Sequence, residues 1–133
     1  MIALDTNVLV RYLVNDDPGQ AKQAERLVEE ARATGEVVYL SQIVLRELVW
    51  VLTGAYDAAK KDILFTLNLL SDDPRFICDD PLRTRRAIDR YAGGSADFSD
   101  YLLAEAAADA GASVTFTFDK ALRDEPGFSL VAR

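Results

Sequence analysis

The chain of 133 residues has no histidine and a single cysteine, Cys78. One thiol excludes an internal disulfide. With no histidine and no second cysteine, a zinc site of the usual nitrogen and sulfur donors is excluded as well. Cys78, in the run FIC, is expected as a small buried hydrophobe. No apolar run reaches the length of a membrane span. The N-terminus lacks a basic region and Asp5 interrupts its apolar stretch, so no secretion signal is expected and the cytoplasm is the expected location. Positive charge is in the minority, with 15 Lys and Arg against 22 Asp and Glu, a formal net charge of −7. That balance argues against indiscriminate nucleic-acid binding, leaves room for a local basic groove, and suits a pocket of carboxylates that awaits a cation. Repeats and low-complexity linkers are also missing.

Hydrophobic side chains are plentiful at 50%, enough for a core in one domain over residues 1–133. The opening IALD reads as a buried strand that ends on Asp5. Thr6 and Asn7 are good N-caps for a helix through VLVRYLV. An amphipathic helix follows DDPG and ends near Gly35; VVYL is a strand; SQIVLRELVWVLTG is a helix capped by Ser41. A further helix covers AAKKDILFTLNLLS, then comes strand FIC. Helices PLRTRRAIDRYAGG and SADFSDYLLAEAAADAG precede strand VTFTF, which delivers Asp119, and FSLV adds a last edge strand. Strands alternating with helices predict an α/β fold with a parallel sheet covered on both faces. Right-handed crossovers would bring the strand C-termini, Asp5 and Asp119 among them, to one edge.

Two helices carry acids in unusual places. With Val44, Leu48 and Val51 at i, i+4 and i+7, Glu47 is expected to share the apolar stripe, where a carboxylate is costly unless paired or metal-bound. Asp97 and Asp100 share one face with Ala104 and Ala107, close to a helix start whose dipole favours negative charge. Asp97 is either a first-turn helix acid or a participant. If Asp5, Glu47, Asp100 and Asp119 converge at spacings of about 5 Å, each like-charged pair costs about 3 kcal/mol at an effective dielectric near 20. Either some carboxyls then hold protons or a divalent cation neutralises them, and an all-oxygen set suits Mg²⁺ or Mn²⁺.

LDTNVLVRYLVNDDP, VLRELVWVL, GGSADFSDYLLAEAA and TFTFDKAL, in this order, resemble the PIN domain, and in particular the VapC toxins of bacterial toxin–antitoxin systems. The resemblance implies a three-layer α/β/α sandwich with a central, mostly parallel sheet, and a metal-dependent ribonuclease. It makes Asp5, Glu47, Asp100 and Asp119 the catalytic and metal-binding acids, with Asn7, Thr117 and Asp97 in support. Asp5 and Asp100 would hold the principal ion, Asp119 would complete the site, and Glu47 would bind a second ion or orient the attacking water. Asp124 is either a further weak ligand or a loop residue. The implied partners are an RNA substrate, a VapB-like antitoxin and a second copy in a homodimer.

Arg11, Arg46 and Lys120 lie nearest the acids in sequence and are the candidate phosphate contacts. Arg83, Arg86 and Arg90 share a helix face that is either solvated surface or part of an RNA groove. Leu27, Val28 and Trp50 are either core or an exposed apolar groove for a partner. Two rivals remain: a haloacid-dehalogenase-like phosphotransferase using Asp5 as nucleophile, and a catalytically inert binding module of the same fold. Asn7 stands where the phosphotransferase needs a second aspartate, and Glu47 has no role there.

Overall fold

The computed structural model describes residues 1–132. Its contacts fall into two compact units, Met1–Pro81 and Leu82–Arg133.

The first unit begins with β1 (Ile2–Ala3), α1 (Thr6–Leu13) and α2 (Pro18–Ala33), and continues through β2 (Val38–Leu40), α3 (Gln42–Gly54), α4 (Lys60–Asp72) and β3 (Phe76–Cys78). All pairings are parallel in the order β1-β2-β3, with Ile2 opposite Val38 and Leu40 opposite Cys78. Each crossover carries two helices, which return the chain to the start of the next parallel strand. Val38, Leu40, Phe76 and Cys78 are buried. Cys78 is a buried thiol outside any disulfide, as its apolar neighbours imply. Ile63, Leu67 and Leu70 form the i, i+4, i+7 core stripe of α4. On α2 the buried positions are Ala21, Ala24, Val28 and Ala31, small enough for α1 to pack closely. Val28 is therefore core, whereas Leu27, one residue and 100° away, is 40% exposed and Trp50 is 77% exposed. Arg75 fixes the entry to β3. It grips both carboxylate oxygens of Asp73, at 2.8 Å from Nη2, and reaches Glu29 of α2 at 3.2 Å. The Tyr12 and Phe76 rings meet edge to face at 5.7 Å.

The second unit holds most of α5 (Pro81–Gly93), then α6 (Phe98–Asp109), β4 (Thr115–Thr117), a short 3₁₀ turn (Lys120–Leu122) and β5 (Phe128–Leu130). β4 and β5 pair in parallel, so the expected last strand exists. The strands expected as one sheet are hydrogen-bonded as a set of three and a set of two. Thr84, Ala87, Ile88 and Tyr91 form the buried face of α5, and Phe98, Tyr101, Leu102 and Ala104 that of α6. Tyr91 and Phe98 meet edge to face at 5.8 Å. Ala104, Leu122 and Phe128 make a small apolar cluster, with Ala96 packed against it. The parallel pairings and alternating helices bear out an α/β fold.

Candidate active site

Asp5 follows β1 and is the N-cap of α1. Its Oδ1 accepts the backbone N–H of Val8 at 3.0 Å. The expectation that Thr6 or Asn7 caps this helix is corrected, since both are already helical. The extended backbone of Asp5 at the strand end is the geometry an N-cap needs, and its short carboxylate reaches the third residue on. One carboxylate oxygen is thus committed to the fold. The side chain stays exposed.

Glu47 of α3 is also exposed, which corrects its placement on a buried stripe. The buried residues of α3 are Val44, Leu45, Leu48 and Leu52. Burial of Leu45 and Leu52 swings the stripe to the side of the helix away from Glu47. Burial therefore puts no cost on the Glu47 carboxylate, whose place among the site acids rests on the motif resemblance alone.

Beside Asp5 lies a cleft of about 300 Å³ lined by residues of α1 and α2, including Asn7, Val8, Gln23 and Leu27. Arg11 lines it too, held by a polar network. Its Nε donates to Gln20 Oε1 at 2.7 Å and its Nη1 to Asp16 Oδ1 at 2.9 Å. The Tyr56 hydroxyl donates to the other Asp16 oxygen at 2.7 Å. The Tyr56 hydroxyl bond, helped by the Arg11 charge, holds the Asp16 carboxyl below its ordinary range, and the same bond pushes the Tyr56 hydroxyl up.

Asp97, Asp100 and Asp119 lie in the second unit. Asp97 is the N-cap of α6, and its backbone N–H donates to Asp100 Oδ2 at 3.3 Å. Asp100 is half-buried. Burial raises its carboxyl above the ordinary aspartate range, and the charges of Asp97, Asp119 and Glu125 add to the rise, against a lowering backbone hydrogen bond. Asp119 ends β4. Its Oδ1 accepts Ala121 N–H at 2.9 Å, and its own N–H donates to Thr117 Oγ1 at 3.0 Å. The hydroxyl of Thr117 thereby holds the turn that presents Asp119.

Glu125 is the acid that sequence reasoning missed in favour of Asp124. Asp124 is exposed, whereas Glu125 is half-buried and its charge acts on Asp100. It accepts the Tyr101 hydroxyl at 2.9 Å. No spacing rule marks it, because a loop rather than a helix period sets its position.

The arginines of α5 are largely committed to acids. Arg83 and Arg86 both reach Asp109 at 2.8 Å, Arg86 also approaches Glu105 at 3.4 Å, and Arg90 donates to the Pro126 carbonyl at 2.6 Å. Among the described residues, Arg46 and Lys120 have no ion-pair partner.

Oxygen-only donors, and an Asp100 carboxyl whose ionisation is opposed by burial and then by three neighbouring charges, fit a hard divalent cation by chemistry. Among the described residues, no group of three or more acidic or cysteine side chains is arranged to hold a metal ion.

No helix among the described residues is long and apolar enough to cross a membrane. No curated protein matches the chain. The family model of the PIN domain matches residues 2–126, a span that runs through both units and contains Asp5, Glu47, Asp100 and Asp119. Members of that family are commonly nucleases that use divalent metal ions and act on RNA or DNA, and by this match the chain belongs to the PIN domain family.

Proposed function

We propose that the protein is a Mg²⁺- or Mn²⁺-dependent endoribonuclease and the toxin of a VapBC-type module, acting in the cytoplasm as a homodimer restrained by a VapB-like antitoxin. Both units belong to one PIN domain of 1–133, and Asp5, Glu47, Asp100 and Asp119 are its catalytic and metal-binding acids. The carrying observation is the family match across both units, joined to an Asp100 carboxyl raised by burial and by neighbouring charges. A group that would rather be neutral gains most from a cation. When bound, the cation supplies charge neutralisation at the phosphate and lowers the pKa of the attacking water. Asp97 caps the helix turn that presents Asp100, Thr117 holds the turn that presents Asp119, and Asn7 stands in the first turn of α1 beyond Asp5. With no histidine in the chain, general-base work falls to carboxylates and water. Attack by water on the phosphorus, with the P–O3′ bond breaking and the 3′-oxygen leaving with a proton, gives 5′-phosphate and 3′-hydroxyl ends. Arg11, Arg46 and Lys120 are the phosphate contacts, Arg11 from within its network. Trp50 and Leu27, exposed in the first unit, offer apolar surface to the antitoxin.

The test is incubation of RNA with Mn²⁺ or Mg²⁺, wild type beside Asp100→Asn, followed by mapping of the ends. Cation-dependent cleavage lost in the variant is the expected result. Cleavage that persists with EDTA, or products ending in 2′,3′-cyclic phosphate, would overturn the reading.

A further inference from the structure

The cleft beside Asp5 has a composition that phosphate binding alone leaves unexplained. Gln20, Gln23, Ala24 and Leu27 line it from α2 at i, i+3, i+4 and i+7, opposite Asn7, Val8 and Arg11 of α1. Val8, Ala24 and Leu27 supply apolar surface. Around them stand three primary amides and a guanidinium. Among the described residues the amides of Asn7 and Gln23 make no side-chain hydrogen bond, and Gln20 uses only its oxygen, on Arg11. Arg11 spends Nε and Nη1 on Gln20 and Asp16 and keeps Nη2. Four uncommitted hydrogen-bonding groups around an apolar floor match a flat heteroaromatic ring with donors and acceptors on its edge. A volume of about 300 Å³ lies at the small end of ligand pockets and takes one such ring rather than a stack.

We infer that this cleft is a nucleobase subsite. It holds one unstacked base of the RNA next to the scissile phosphate, with Gln23 reading the base edge and Arg11 set against the adjoining phosphate. The identity of the occupant rests on the ribonuclease reading above. An unstacked base presents its edge for such reading, and a side-chain amide pairs with it as donor and acceptor at once. The network of Asp16, Tyr56 and Gln20 fixes Arg11 before RNA arrives, so little side-chain freedom is lost on binding.

Two measurements separate this inference from the nuclease reading. In EDTA, isotope-labelled protein is titrated with each of the four nucleoside 5′-monophosphates and with ribose 5-phosphate. The side-chain amide signals of Gln23 and Asn7 are expected to move with at least one nucleotide and not with ribose 5-phosphate. Gln23→Leu, a change at an exposed position, is expected to weaken that nucleotide at least about fivefold, the low end for a bidentate amide contact. With Mn²⁺, oligoribonucleotides that differ at one nucleotide beside the cut are then compared. The wild type is expected to prefer one base, and Gln23→Leu and Gln23→Ala to bring the four rates within about twofold of each other. Amide shifts without any cleavage would sink the ribonuclease and keep the base subsite. Cleavage with unmoved Gln23 signals and an unchanged base preference would overturn the subsite and keep the ribonuclease. Equal shifts with ribose 5-phosphate would reduce the cleft to a phosphate contact and overturn the inference.

Discussion

Tyr101→Phe removes one oxygen from the place where the second unit fixes its acids. The ring is 1% exposed. Its hydroxyl accepts the Ala96 backbone N–H at 3.2 Å and donates to Glu125 Oε1 at 2.9 Å, and the Arg90 guanidinium lies 5.0 Å from the ring centre. Burial pushes the hydroxyl above the ordinary tyrosine range, so it is a neutral donor at any working pH. Phenylalanine keeps the ring, its packing and the cation above it. What is lost is one neutral hydrogen bond, about 1 kcal/mol, and one to a charged acceptor, about 1.5–3 kcal/mol. Glu125 keeps 18% side-chain exposure, so water recovers part of the second. The expected destabilisation is about 2 kcal/mol, which corresponds to a fall in Tm of about 6–10 °C. Urea denaturation should give the same free energy with an unchanged slope. Gly94 supplies an internal check, because a Cβ there would collide with the same hydroxyl. The double variant Gly94→Ala, Tyr101→Phe should therefore lose less than the sum of the two single variants. A Tm for Tyr101→Phe within about 2 °C of wild type would mean that the hydroxyl ties nothing together, and the reasoning fails.

Asp100→Asn should stabilise the cation-free protein increasingly as pH rises. The folded protein holds the Asp100 proton more tightly than the unfolded chain, so stability falls as pH climbs through the raised pKa. Urea midpoints at pH 4 and pH 7.5 check this, and a wild-type advantage that grows with pH would contradict it. Arg75→Ala should cost about 1–2 kcal/mol by freeing Asp73, whose carboxyl Arg75 holds low in its range; an unchanged Tm would contradict it. Leu48→Ala, at a position with 0% exposure, should cost about 2–5 kcal/mol by opening a cavity under α3, whereas Trp50→Ala, two residues on, should stay within about 0.5 kcal/mol.

Local sequence determined much of this protein. Short apolar and β-branched runs and the 3.6-residue helical period set the order of strands and helices, and Ser41, Pro81 and the Gly93-Gly94 pair mark helix ends that the structure keeps. Family membership was legible in LDTN, ADFSDYL and TFTFD, whose acids Asp5 and Asp119 follow strands and whose Asp100 opens a helix, where local chemistry places them. Tertiary structure decided the rest. DTN offers three good caps in a row, and the end of β1 selects Asp5. A helix turns 100° per residue, so burial of Leu45 and Leu52 exposes Glu47, and on α2 Val28 is core while its neighbour Leu27 stays 40% exposed. Glu125 acts on Asp100, and α5 arginines serve Asp109, through contacts between residues that no local period relates. Periodicity states which faces exist; only the partner that each face meets fixes which side chain is covered, charged or free.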